Sequence, residues 1–158
     1  MGRIRTWLTG SADHVVSDTV AAPTAVVRDF YVDLHNIREV HPLVVEVRET
    51  DRRERADGYV QTYRVRDRIP LGPVTMPITY TARVDVPNHG DVRTEARQFP
   101  WVRLNGVVSF DEAEDGTLVT ERLRIEAPRP LAAVTVRQAV AAHAEMLAGI
   151  RRAFAPEP

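Results

Sequence analysis

Apolar and polar residues alternate along most of this chain, and the rhythm changes near both ends. Early on, Val26, Val27, Phe30, Tyr31 and Leu34 recur at intervals of three and four, the period of one helix face. Pro23 suits the first turn of such a helix, where a missing N–H costs nothing, so AAPTAVVRDFYVDL reads as a helix that follows a first strand at Asp13 to Val20. From Leu43 the period falls to two. Leu43, Val45 and Val47 alternate with Val44, Glu46 and Arg48, which predicts a strand with Val45 and Val47 on its apolar face. Tyr59, Gln61, Tyr63 and Val65 then share one face against Thr62, Arg64 and Arg66, the pattern of an antiparallel strand with one solvated side.

The same alternation resumes after the turn Pro70-Leu71-Gly72-Pro73, with Met76, Ile78, Tyr80, Ala82, Val84 and Val86 on one side. Pro77 cannot donate a ladder bond and predicts a bulge or a hairpin end. Asn88-His89-Gly90 and Asp115-Gly116 are hairpin signals, and they separate strands at 91–98, 101–111 and 117–127. From Pro130 onward Val136, Val140, His143, Leu147, Ile150 and Phe154 form one stripe along a helix of about 25 residues. Six or seven strands with one apolar face, and one long helix to cover that face, predict an α+β domain with a strongly curved antiparallel sheet wrapped around the helix. No repeat or composition shift divides the 158 residues, so residues 1–158 read as a single domain with its core at 13–154.

Composition narrows the partners. The net charge is -1, with 21 basic residues, all arginine, against 22 acidic ones, which gives no field to draw nucleic acid. No run of 18 apolar residues predicts an integral membrane segment, and MGRIRTWLTG lacks the apolar centre of a signal peptide, so a cytoplasmic protein is expected. Zero cysteine removes disulfides, thiolate metal sites and cysteine nucleophiles. GxSxG, GxGxxG and GxxxxGK[ST] motifs are absent, and with them the geometry that serine hydrolases, dinucleotide binders and P-loop proteins need.

The segment VAAPTAVVRDFYVDLHNIREVHPLVVEV, followed by the strand run and the long terminal helix, resembles the START-like superfamily (SRPBCC, or Bet v 1-like) and, within it, bacterial polyketide cyclase/dehydrase-like members. Many of those relatives carry tryptophan before the His-Pro pair, where Val40 stands here. The resemblance implies a helix-grip fold: about seven strands curved around the C-terminal helix, with two short helices after the first strand. It also implies a cavity between the helix and the concave sheet, used across the family for lipids, sterols, polyketides and plant hormones. Some members are enzymes, some carry ligands and some act on partner proteins, so the fold alone does not name the activity. The expected partner is a hydrophobic small molecule, with no cofactor, and a homodimer is an allowed assembly.

Individual residues refine this expectation. His35 and His41, about 240° apart on a continuous helix, are too far round it to pinch a metal ion, so no metal site is expected. His35 reads as a polar group at the end of the first helix. His41 precedes Pro42, which forces it extended and ends the short helix at the mouth of the implied cavity. His143 interrupts an apolar stripe, and Glu121 shares a strand face with Val119, Leu123 and Ile125, so both should point inward. A buried carboxylate needs a partner or a proton, and the two are expected to meet. Gln61, Tyr63, Asp67, Tyr80, Thr94 and Gln98 are inward by parity, whereas Arg103 and Asn105 are outward unless Gly106 makes a bulge. Trp101 reads as a plug beneath a hairpin, and Arg52-Arg53-Glu54-Arg55 as a solvated tip.

The function expected from these residues is binding of a hydrophobic small molecule. Its wall would include Tyr31, Val45, Val47, Gln61, Tyr63 and Ile78, together with Tyr80, Gln98, Glu121, Val140, His143 and Leu147. The alternative is a cyclase/dehydrase-type enzyme in which His143, Glu121 and a tyrosine, with Tyr63 the candidate, move protons. A partner-protein module using the outer sheet face is a third reading, against which its arginines and threonines look solvated.

Overall fold

The structure, a computed structural model, describes residues 8–99 and 101–158; most of MGRIRTWLTG and Pro100 lie outside the described residues. The elements run β1 (Thr9–Val20), α1 (Thr24–Val32), α2 (Leu34–Val40), β2 (Val44–Arg55), β3 (Gly58–Leu71), β4 (Val74–Pro87), β5 (Val92–Gln98), β6 (Val102–Ala113), β7 (Gly116–Pro128) and α3 (Arg129–Ala153). The seven strands form one antiparallel sheet in the order β1-β7-β6-β5-β4-β3-β2. Strands β1 and β2 are consecutive in sequence yet occupy opposite edges, and α1 and α2 carry the chain between them. Helix α3 packs on β1, β7 and α2. This is the α+β helix-grip architecture.

Four local features differ from the alternation pattern, each for a physical reason. The first helix stops at Val32, because Asp33 leaves helical geometry at φ -91° and accepts the backbone N–H of His35 at 2.9 Å. His35 therefore begins α2 instead of ending α1, and its ring lies 3.6 Å from Glu49 on the surface. In β2 the register shifts between Val44 and Glu46, so Val44 and Val47 oppose the inward Asp67 and Val65. Val45 is turned to solvent, 39% exposed, and Val44 takes the buried position.

Pro77 makes no bulge, since β3 and β4 pair without interruption from Gly58↔Pro87 to Leu71↔Val74. It lies on the part of β4 that extends beyond its pairing with β5, where a missing donor breaks no ladder bond. Gly106 makes no bulge either. Its strand pairs continuously on both sides, leaving Arg103 and Asn105 on the outer face. A Cβ there would come within 2.4 Å of Thr94 Oγ1, so close cross-strand approach, not a break in register, explains the glycine.

The core is densest under the C-terminal half of α3. Leu147 and Ile150 are buried with Val27, Tyr31, Val108 and Val119, and two edge-on aromatic pairs close the layer, Phe30 with Phe154 at 5.2 Å and Tyr31 with Phe110 at 5.5 Å. Burial of these side chains, each contributing roughly 1.5–3 kcal/mol, anchors the helix at that end. Toward the middle of α3 the packing opens.

Candidate functional site

A cavity of about 190 Å³ lies beneath the middle of α3. From the helix it is lined by Thr135, Gln138, Ala139, Ala142, His143 and Met146, a stripe at three- and four-residue spacing. On the sheet side, Ala82 of β4 and its cross-strand partner Ala96 of β5 contribute, with Val84 and Thr94 beside them. Leu34, Ile37 and His41 of the α1–α2 region, and Val44, close one flank. Both layers contribute alanines to the wall, where larger side chains would fill the space.

One wall carries a hydrogen-bonded set of three residues. Glu121 on β7 is 0% exposed. One of its oxygens accepts from the Tyr31 hydroxyl, and Oε2 lies 2.8 Å from His143 Nδ1. The residues come from three elements, α1, β7 and α3, so only the assembled fold brings them together. Burial, reinforced by the Glu121 charge and hydrogen bond, holds the Tyr31 pKa well above its ordinary value, which keeps the phenol a donor. For His143, burial pulls the pKa down, but the charge and hydrogen bond of Glu121, with a smaller effect from Asp67, more than offset it and raise the value. Nδ1 is thus committed to Glu121, and Nε2 is the nitrogen left for other chemistry.

His41 stands beside this set, its ring 5.9 Å from that of His143. Its Nδ1 accepts the Leu43 N–H at 3.2 Å, which fixes the tautomer with the proton on Nε2. Burial, and then the charge of His143, lower its pKa to about 3, so it is a neutral wall residue. His41 therefore both ends α2 and faces the cavity.

A second polar pair sits on the sheet. Asp67 and Tyr80 both line the cavity, close enough for each to influence the other's proton affinity. Burial raises the Asp67 pKa to about 6, with the Tyr80 hydrogen bond and the His143 charge opposing. Burial, and then the Asp67 charge and hydrogen bond, hold Tyr80 well above its ordinary value.

Of the residues expected on the ligand wall, Tyr31, Tyr80, Gln98 and His143 line the cavity. Glu121 lies behind it, reaching the wall through Tyr31 and His143. Tyr63 is buried elsewhere, its hydroxyl directed at the Val32 carbonyl 3.5 Å away and its ring edge-on to His35 at 6.2 Å. The tyrosine that joins Glu121 and His143 is Tyr31. Gln61 donates to the Asp51 carbonyl at 2.9 Å and stitches the second irregularity of β2. Leu147 belongs to the packed core and Val47 lies against it; neither Ile78 nor Val140 is on the cavity wall, and Val45 faces solvent. The wall residues missing from that expectation include four alanines, Ala82, Ala96, Ala139 and Ala142, which a search for large inward side chains passes over. Trp101, expected to plug a hairpin, is 58% exposed at a strained φ of 62° beside the cavity-lining Gln98 and Val102.

Among the described residues, no helix is long and apolar enough to cross a membrane, and no three or more His, Asp or Glu side chains converge as a metal site would require.

No protein-family model matches the chain, and neither does any curated protein. Solved structures do. A START superfamily protein from Mycobacterium smegmatis superposes with a TM-score of 0.65 at 16% identity, covering 91% of this chain and 96% of that one. The Zhui aromatase/cyclase from a Streptomyces species gives 0.59 at 20% identity, covering 93% and 97%. The di-domain ARO/CYC BexL gives 0.67 at 22% identity; 96% of this chain is covered, but only 52% of BexL, so the chain spans about half of that protein. The chain has the START-like, SRPBCC fold.

Proposed function

We propose that this protein binds a hydrophobic small molecule in the cavity between α3 and the sheet. The observation that supports the reading is the hollow itself: about 190 Å³, bordered by alanines and other apolar side chains from both layers. An apolar cavity of roughly 150 Å³ is known to hold benzene, so this one suits about one ring with a short substituent. Affinity would come chiefly from buried apolar area, at about 25 cal/mol per Å², with the polar groups setting orientation.

The test is a ligand-observed NMR titration with propylbenzene on the wild-type chain and on Ala139→Leu. Leucine at this helical position fills the hollow at little cost in helix propensity. Binding to the wild type and its loss in the variant are expected. Equal binding to both would place the ligand elsewhere and sink the reading.

One observation favours a second reading, an aromatase/cyclase-like enzyme. Asp67, with a pKa of about 6, and His143, whose pKa is raised, both line the cavity, which puts a proton acceptor and a proton donor in one site. In this reading His143 Nε2 would donate a proton, Asp67 would accept one, and Glu121 and Tyr31 would hold the imidazole in place. A chain that folds into several rings would have to extend beyond about 190 Å³, which is why binding is ranked first. Loss of turnover in His143→Ala with unchanged affinity would reverse that order.

A further inference from the structure

At one end of the sheet the cavity wall runs on into exposed apolar side chains. On the β3–β4 hairpin, Leu71, Val74 and Met76 keep the parity of the cavity-lining Ile69 and Tyr80, so they continue the inner face, yet all three are exposed. On α3, Leu131 stands one turn before Thr135 and Val134 one turn before Gln138; the second of each pair lines the cavity, and the first is exposed. The β5–β6 turn adds Phe99, 91% exposed, and Trp101, beside the cavity-lining Gln98 and Val102. Strand register brings these segments together. Pairing of β4 with β5 ends at Thr81↔Arg97, so the β5–β6 turn lies beside the outer part of β4. Arg103 opposite Glu126 puts the same turn next to the β7–α3 junction, and Pro70 and Gln138 border a common pocket, so the hairpin also approaches α3.

The charges at this end are of one sign. Residues 68–76, 98–104 and 128–138 contain Arg68, Arg103, Arg129 and Arg137 and no Asp or Glu, although the whole chain has 22 acids against 21 bases. All four arginines are exposed, and among the described residues none of them has an ion-pair partner.

We propose that this end of the cavity docks on an anionic phospholipid bilayer, with Phe99, Trp101 and the neighbouring aliphatic side chains entering the boundary between headgroups and acyl chains, and the four arginines binding lipid phosphates. The inference goes beyond the binding reading and stands apart from it, since it concerns the rim and not the occupant of the cavity. Large exposed apolar side chains gain from an apolar phase, and unpaired guanidinium groups gain from anions; a bilayer with acidic lipids offers both at one surface. A second copy of this chain would set arginines against arginines. Trp101 adds to the argument, because its φ of 62° strains the backbone while its indole stays largely in solvent, and an indole suits the headgroup layer. With a net charge of -1 on the whole chain, the attraction is local to the rim and is screened by salt.

The test is co-sedimentation of the full chain with vesicles of phosphatidylcholine alone and of phosphatidylcholine mixed with an equal amount of phosphatidylglycerol, at low and at high salt. The wild type is expected to bind the mixed vesicles, to bind the neutral ones at least about tenfold more weakly, and to be released by salt. Arg129→Gln combined with Arg137→Gln should weaken binding to the mixed vesicles at least about tenfold. Phe99→Ser combined with Trp101→Gly should weaken it by about as much through lost apolar insertion. All four side chains are exposed, so the urea midpoint should not fall in either variant. Arg64→Gln combined with Arg122→Gln, which removes two exposed arginines from the outer sheet face, should bind like the wild type. No sedimentation with the mixed vesicles, or the same binding in the rim variants as in the wild type, overturns the proposal. So does an equal loss in the outer-face variant, or a wild-type dimer in analytical ultracentrifugation that Phe99→Ser with Trp101→Gly splits, since the rim would then be a contact between copies. Each of these results leaves the binding reading standing.

Discussion

Glu121 Oε2 lies 2.8 Å from His143 Nδ1, joining the last strand to the last helix inside the core. The other oxygen of the carboxylate accepts from Tyr31, 90 positions earlier in the chain. A fully buried carboxylate with donors on both oxygens orients the imidazole without itself touching the cavity.

Removing that carboxylate strands two donors. Glu121→Ala is expected to destabilise the fold by about 3–5 kcal/mol, read as a fall in the urea midpoint. Glu121→Gln keeps the shape but removes the charge that offsets burial, so the His143 pKa should drop below that of the wild type. The raised folded value means that the pair's stabilisation is complete below the unfolded pKa of 6.5 and is lost as pH rises through the folded pKa. An NMR titration of the His143 imidazole that finds the same pKa in both proteins would refute this account.

Asp67 and His41 pull stability in opposite directions with pH. The Asp67 pKa, raised from 3.8 to about 6, makes the folded state bind the extra proton, so its charge costs nothing below pH 3.8 and its full penalty above about pH 6. His41, lowered from 6.5 to about 3, is stabilising as the neutral form above pH 6.5, and that contribution is lost as pH falls towards 3. Asp67→Asn should therefore match the wild type most closely near pH 4, gain on the order of 3 kcal/mol relative to it by pH 7, and show a steeper loss on acidification. Urea midpoints between pH 4 and pH 8 test this; parallel curves for the two proteins would exclude it.

Gly149 is required by contact. A Cβ there would lie 2.9 Å from both the Cβ and the carbonyl oxygen of Val40, at the end of α2. Alanine would gain roughly 1 kcal/mol in helix propensity yet push α2 away, so Gly149→Ala is expected to be destabilising overall, by about 1–2 kcal/mol. The shift should also move the neighbouring His41, visible as a change in its ring resonances. A thermal midpoint above the wild type would contradict the packing argument.

Trp101 stores strain at the turn before β6. Its φ of 62° is a conformation that glycine adopts freely and tryptophan does not, and at 58% exposure little burial compensates. Trp101→Gly should consequently raise stability by about 1 kcal/mol in chemical denaturation. A clear loss would mean that the indole contributes more by packing than its backbone costs.

Alternation and helical spacing sufficed to place every strand, the long helix and the inward direction of Glu121 and His143, because a period of two or of three to four is a local property of the chain. The same local rule put Val45 inside. It failed there because the bulge after Val44 is decided by pairing with β3, which lies outside the segment. Likewise Asp33 splits the first helical segment through a side-chain bond that periodicity does not register. Tertiary structure alone chose Tyr31 over Tyr63 as the partner of Glu121, and left Asp67 Oδ1 unpaired. It also put the hollow under the middle of α3 and packed Leu147 and Ile150 into the core beyond it. Contacts between residues far apart in sequence, and volumes left unfilled, depend on how several elements meet; no single stretch encodes them.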